Sequence, residues 1–465
     1  MIMKKLVLIG ILFLSTFFLA SAQNKIDTSA ATEIVVMPYQ TTIIADGKAK
    51  ALIVISVIDK QGNAVTNASN TIELSVSGDA ALLFADQKSS RNSTPAKTLT
   101  GKLSQGKLNV YVQSGRDTSL IKFQAKGEKL ITGSTEIRTV QPGIPHPVTT
   151  VAPIAGNAKF GQKILGADIS FLPQLEARGM KFYNENGKQE DVLKILKDHG
   201  FNYIRLRLFD HPENAKGYSP NKGFCDLPHT LAMAKRIKAA GMKFLLDFHY
   251  SDTWADPQRQ DKPIAWQNLN FTTLKDSVFT YTKSVMQTLK DQGTEPDLVQ
   301  VGNEINHGML WPDGEINNLD SLAQFIFSGI KAVKAVSPST PIMLHIALGG
   351  QNLEARFFID NMLKRKVPFD VIGLSYYPKW HGTLSDLKMN MADLAKRYHK
   401  YVMVAEYSQL KEAVNDIAFT AAGDKALGSF IWEPLNTWES FFDRNGKANS
   451  FLQVYPAIAK KYNVH

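Results

Sequence analysis

Cysteine is almost missing: one residue in 465, Cys225. A lone cysteine excludes an internal disulfide, so stability must come from the size of the core. Cys225 stands in a Gly-Phe-Cys-Asp stretch with no histidine beside it, which reads as a bystander thiol rather than a nucleophile. No block of five or more basic residues occurs, although the formal charge is +10. Lysines and arginines are spread through both halves with acidic residues between them. That pattern excludes a nucleic-acid footprint and leaves a solvated basic surface. Beyond residue 20 no apolar run is long enough to cross a bilayer. Tryptophan is absent from the first 250 residues, yet six follow.

The start of the chain reads as a leader. Lys4 and Lys5 precede an apolar run at 6–20, and Ala20-Ser21-Ala22 supplies the small-x-small pattern cut by signal peptidase. Residues 1–22 are therefore expected to be removed before Gln23, giving a secreted or periplasmic protein with no membrane anchor.

From 23 to 140 the sequence alternates short β-branched runs with Gly, Asn, Asp and Ser. Residues 50–59 (KALIVISVID) and the turn Asp59-Lys60-Gln61-Gly62-Asn63 are typical. Such spacing suggests a β-sandwich. The stretch TTIIADGKAKALIVISVIDKQGNAVTNASNTIELSVSG also resembles bacterial immunoglobulin-like modules. With no tryptophan in it, a spacer is expected in preference to a sugar-binding module. Residues 141–159 form a linker, because Gln141-Pro142-Gly143-Ile144-Pro145-His146-Pro147 stops both helix and sheet.

Residues 160–465 repeat a strand–helix unit eight times. The strands are expected at 163–170, 202–208, 243–249, 297–304, 341–347, 370–377, 401–407 and 426–432. Amphipathic stretches separate them, clearest at 383–398, where Leu384, Leu387, Met391, Leu394 and Tyr398 share one stripe. The fold class is α/β: a (β/α)8 TIM barrel preceded by a small immunoglobulin-like sandwich. A doubly wound sheet is the alternative, but Gly166-Ala167-Asp168 is not the Gly-rich phosphate loop it would want.

Catalytic groups of such barrels gather at the C-terminal ends of strands. Those ends carry Asp168, Arg205 and Arg207, Asp247, His249 and Tyr250, Asn303 and Glu304, Tyr376 and Tyr377, Glu406, and Trp432 with Glu433. Two carboxylates on strands four and seven face each other across the mouth. If they lie about 5–5.5 Å apart, one can attack an anomeric carbon while the other protonates the leaving oxygen. Glu304 is expected as the acid/base and Glu406 as the nucleophile. Arg205 and Arg207, two apart and so on one face, offer a partner for Glu406; Asn303 suits a sugar 2-hydroxyl. A lone Glu at a strand end is more often a surface group, and it is the combination that points to a site.

All six tryptophans, at 254, 266, 311, 380, 432 and 438, fall at strand ends or in the loops after them. Sugar rings stack on aromatic faces, so this placement suggests a polysaccharide groove. A protein-binding surface is the competing reading.

At this point a family becomes legible. Residues 247–257 (DFHYSDTWADP) and 299–305 (VGNEI preceded by Val-Gln), with Gly308-Met309-Leu310-Trp311-Pro312, 372–378 (IGLSYYP), Trp380-His381-Gly382-Thr383-Leu384 and Trp432-Glu433-Pro434, resemble glycoside hydrolase family 53. These are the arabinogalactan endo-β-1,4-galactanases. The resemblance implies a retaining endo-hydrolase of β-1,4-galactan with Glu304 as acid/base and Glu406 as nucleophile. Asp168, Arg205, Arg207, His249, Asp252, Trp254, Asn303, Trp311, Tyr376, Trp380 and Trp432 are the expected substrate-binding residues. No cofactor and no metal is expected, and a monomer acting on galactan is the expected state. Val404-Ala405-Glu406-Tyr407-Ser408 departs from the family pattern after the nucleophile, which keeps open another β-linked glycan or a non-catalytic glycan-binding protein. Bacterial relatives often carry a longer calcium-binding loop before the eighth strand. The short segment here offers Glu412, Asn415, Asp416 and Asp424 without an evident ligand cluster, so no calcium is expected there.

Overall fold

A computed structural model describes residues 31–85, 95–141 and 158–464. The expected leader, and nearly all of the expected linker, lie outside these residues.

The first unit is all β. Its strands are β1 (Glu33–Pro38), β2 (Thr42–Ile44), β3 (Lys50–Ile58), β4 (Thr71–Ser77), β5 (Ala80–Phe84), β6 (Thr98–Lys102), β7 (Lys107–Ser114), β8 (Leu120–Gly127) and β9 (Gly133–Val140). They form a four-stranded sheet, β1-β3-β7-β5, facing a five-stranded one, β2-β9-β8-β4-β6. The period of two decides which side is buried. In β8, Ile121, Phe123 and Ala125 turn inward, while Leu120, Lys122, Gln124 and Lys126 stay outside. Each fully buried apolar side chain of this kind contributes about 1.5–3 kcal/mol. Antiparallel pairing then sets Lys122 opposite Glu136 and Gln124 opposite Ser134, so β8 and β9 share one polar outer face.

The second unit closes eight parallel strands into a barrel. They are β10 (Ile164–Asp168), β11 (Tyr203–Leu208), β12 (Lys243–Phe248), β13 (Leu298–Val301), then, after a small hairpin of β14 (Gly308–Met309) and β15 (Gly314–Glu315), β16 (Ile342–Ile346), β17 (Val371–Tyr376), β18 (Tyr401–Tyr407) and β19 (Ala426–Trp432). Ile164, Leu245, Leu298, Met343, Met403 and Phe430 fill the barrel interior with apolar groups. Polar side chains therefore collect at the C-terminal mouth. The expected helix at 383–398 is Leu384–Tyr398, started by a capping box in which Thr383 and Asp386 satisfy each other's backbone N–H groups. Strand four is shorter than expected, because Gly302 (φ +82°) and Glu304 (φ +49°) turn the chain out of extended geometry.

The segment before β19, where the short loop is expected, is the helix Lys411–Thr420. Its Asn415 turns inward to Tyr407 and Ser429, and Asp416 pairs outward with Lys461. Among the described residues, no group of three or more His, Cys, Asp or Glu is arranged to hold a metal ion, and no helix is long and apolar enough to cross a membrane.

The sandwich does not stand away from the barrel. Thr41 donates through its backbone N–H and its hydroxyl to Glu354 at 3.0 and 2.5 Å, and it also meets His307. Arg138 pairs with Glu315 at 2.6 Å and lies 3.6 Å above the Trp311 ring.

Candidate active site

Arg205 organises the mouth. Its position two residues before Arg207 on β11 points both side chains into the barrel, where each is 1% exposed. All five guanidinium N–H groups have a role. Nη1 donates to Glu406 Oε1 at 2.7 Å and Asp168 Oδ2 at 2.9 Å. Nη2 donates to Asp247 Oδ2 and Asn303 Oδ1, both at 2.8 Å, and Nε to Gln300 Oε1 at 3.2 Å. Four neighbouring strands are thus tied to one planar cation on β11. Burial alone would penalise the charge; Asp247, Glu406 and Asp168 outweigh it and hold Arg205 above its ordinary value.

Glu406 is fixed at both oxygens, since the Tyr377 hydroxyl donates to Oε2 at 3.2 Å. Burial raises its carboxyl pKa and Arg205 opposes that rise. Glu304 is raised well above the carboxylate range, by burial first and then by the Glu406 charge. Glu304 is thus raised more strongly than Glu406, the asymmetry that an acid and a nucleophile would need. The left-handed backbone at Glu304, which costs about 1–2 kcal/mol for a residue with a Cβ, turns its side chain to the Ser375 hydroxyl at 2.5 Å. Ser375 in turn lies 2.9 Å from His345 Nε2.

The Ser375 contact makes a separable prediction. Its hydroxyl donates to Glu304 and lowers that carboxyl's pKa. Ser375→Ala is expected to raise it further, because a hydrogen bond to the charged form is lost. The alkaline limb of a kcat/KM profile should move up; an unmoved limb means Ser375 does not touch the acid.

Most expected site residues come together here. Asp168 and Arg205 join Glu406; Asn303 bonds Arg205 through its oxygen and donates one N–H to the Ala255 carbonyl at 2.8 Å, which leaves its other N–H free of that contact. His249 Nδ1 accepts from the Ala255 N–H at 3.2 Å, so Nε2 carries the proton directed at Asp247, 3.0 Å away. Burial would raise Asp247, but Arg205 and His249 bring its pKa below the ordinary value. Arg207 pairs with Glu433 and lies 4.5 Å from the ring centroids of both Phe171 and Trp254. An aromatic wall then runs from Trp254 to Trp432, Trp438, Tyr377 and Trp380, with successive centroids 5.3–6.2 Å apart.

Four expectations change. Tyr376 is buried, with its hydroxyl on the Gly382 carbonyl; strand alternation turns it outward and gives the cleft to Tyr377. Asp252 braces loops by accepting from His211, Asn214 and Ile264. Trp266 is a core residue packed on Tyr281, so the tryptophan pattern is not wholly a groove. Trp311 sits under Arg138, with that face already covered. Cys225 is buried, and burial pushes its thiol up to about 12, as suits a bystander. Sequence reasoning missed Gln300, Ser375 and His345. Each is a lone polar residue within an otherwise apolar strand, and that was the available signal.

Residues 164–426 match the family profile described as Glycosyl hydrolase family 53. The chain belongs to glycosyl hydrolase family 53. An uncharacterized protein from the bgaB 5' region of Niallia circulans is 47% identical over 251 residues, which cover 52% of this chain and 66% of that relative. The endo-beta-1,4-galactanase of Bacillus subtilis (strain 168) is 36% identical over 302 residues, covering 58% of this chain and 70% of the relative. Among solved structures, the Ignisphaera aggregans GH53 catalytic domain superposes with a TM-score of 0.61 at 34% identity, over 66% of this chain and 99% of that one. Residues 34–136 match a second profile, Glycoside hydrolase family 2 C-terminal domain 5. That profile falls on the sandwich and gives the immunoglobulin-like unit a more specific likeness. In this family 53 chain the paired carboxyls are set for glycoside hydrolysis.

Proposed function

We propose that the protein is a retaining endo-β-1,4-galactanase acting on galactan, the side chain of type I arabinogalactan. The observation that carries the chemistry is the shared arrangement around Arg205, with Glu406 paired to that cation and Glu304 away from it, raised well above the carboxylate range. Glu406 attacks the anomeric carbon while Glu304 gives its proton to the departing glycosidic oxygen. A galactosyl ester on Glu406 results; Glu304, now ionised, takes a proton from water as that water displaces the ester. The Trp254–Trp380 wall gives sugar rings apolar faces to stack on, and Asn303 offers its remaining N–H to a ring hydroxyl. The substrate rests on the family and on relatives such as the Bacillus subtilis endo-beta-1,4-galactanase. The leader expected at 1–22 and a polymeric substrate would agree with work outside the cytoplasm.

Incubation with potato galactan, mannan, xylan and cellulose at pH 5 to 8 tests this. Galactan alone should yield oligosaccharides, with the β-anomer formed first. Absence of galactan products across that range would end the substrate reading.

A further inference from the structure

On one side the barrel mouth is flanked by the sandwich. On the Glu304 side lies a cavity of about 600 Å³, whose barrel wall includes Glu304, Tyr377, Trp380 and Asp256. Its other wall belongs to the sandwich: Lys122, Gln124, Ser134, Glu136 and Arg138 line it. A space of this size is in the range of ligand pockets.

We propose that the outer face of β8 and β9 forms the far leaving-group subsites, so that the sandwich binds the departing galactan segment and sets where the chain is cut. This rests on the galactanase reading above. Glu304, the proton donor to the departing oxygen, lines the cavity; Glu406 does not. The chain beyond the scissile bond therefore enters this space, and the Trp254–Trp432 flank takes the other half.

The chemistry of the face fits a neutral sugar. Lys122 is balanced by Glu136 at 3.8 Å and Arg138 by Glu315 at 2.6 Å, which leaves no concentrated field for an anion. Glu136 Oε2 and Arg138 Nη1 are buried and have no hydrogen-bond partner among the described residues. One is an acceptor and the other a donor, and a side-chain shift that turned either toward the cavity would offer it to a sugar hydroxyl. Trp380, 39% exposed on the facing wall, offers a ring for stacking. The face is held in register by Thr41 on Glu354, by Arg138 stacked on Trp311, and by Asn317 donating to the Gln141 carbonyl at 2.7 Å. These anchors make the wall part of the barrel mouth.

The test uses the full chain and two substrates. Galactohexaose labelled at its reducing end fills the far subsites; an aryl β-galactobioside, with only a small ring as leaving group, does not reach them. Lys122→Ala/Gln124→Ala should lower the ratio of kcat/KM on hexaose to that on the aryl substrate by about tenfold, mainly through KM. The cut should also move toward the labelled end, giving shorter labelled fragments. Lys126→Ala, on the same strand face but outside the cavity, should change neither substrate. An unchanged ratio and cutting pattern in the double variant overturns the proposal, as does an equal loss on both substrates, which would mark the face as structural. Wild-type protein inactive on galactan would instead remove the galactanase reading and this inference with it.

Discussion

Glu406→Gln is expected to lower kcat on galactan by at least about 10⁴-fold while leaving the fold intact. The amide keeps the shape of the carboxylate and can still accept from Arg205 Nη1, which lies 2.7 Å from Oε1. What it loses is nucleophilicity. Among the described residues, the neighbouring carboxyls are already engaged: Asp168 and Asp247 on the same guanidinium, and Glu433 on Arg207. Glu406→Ala should be partly rescued by azide, with α-galactosyl azide as product. Glu304→Gln should behave differently. Loss of a general acid costs about 10²–10⁴-fold on galactan, and far less on an aryl galactoside whose leaving group needs no proton. Kinetics on the two substrates separate the roles. If Glu406→Gln keeps a tenth of the activity, or if Glu304→Gln loses equally on both substrates, the assignment fails.

The parts of this site that could be read from sequence are those obeying a period. Arg205 and Arg207 are two apart, so a strand must present them together, and the structure does so. Glu406 ends a strand whose bounds were read without error, 401–407. Glu304 was found at a strand end although the strand stops at Val301, because positive φ at Gly302 and Glu304 has no signature in hydrophobic alternation. Tyr376 and Tyr377 show the limit of the method. Adjacent residues face opposite sides, and a one-residue uncertainty at a strand end exchanges the buried tyrosine for the one that holds the nucleophile. Ser375 and His345 are buried polar residues whose meaning depends on a relay to Glu304: Ser375 bonds it across 71 positions of sequence, and His345 bonds Ser375 across 30. The sandwich face was least legible. Lys122, Gln124 and Glu136 alternate with buried residues as any solvated strand does, and only the seating of the module on Trp311 and Glu354 turns that surface into a wall.

Arg205→Ala should be the most damaging single change to stability. It leaves the buried carboxyls of Asp168, Asp247 and Glu406 without the cation that compensates them, and removing one partner of a buried ion pair costs about 3–5 kcal/mol. Arg205→Lys keeps the charge but not the planar fork, so it cannot reach five acceptors contributed by four strands; it should fold and lose activity, because Glu406 is no longer oriented. The pH dependence tells these apart from a simple cavity. In the native protein the Asp247 pKa lies below its ordinary value, so its contribution to stability is present above the unfolded pKa and fades as pH falls through the folded one. Without Arg205 the sign reverses, since burial then dominates and the folded carboxyls bind protons more tightly than the unfolded chain. The stability gap between Arg205→Ala and wild type should therefore narrow as pH drops from 7 toward 4. Urea unfolding of both proteins across that range measures it, and a gap that stays constant with pH would show that lost packing, not uncompensated charge, is what the arginine prevents.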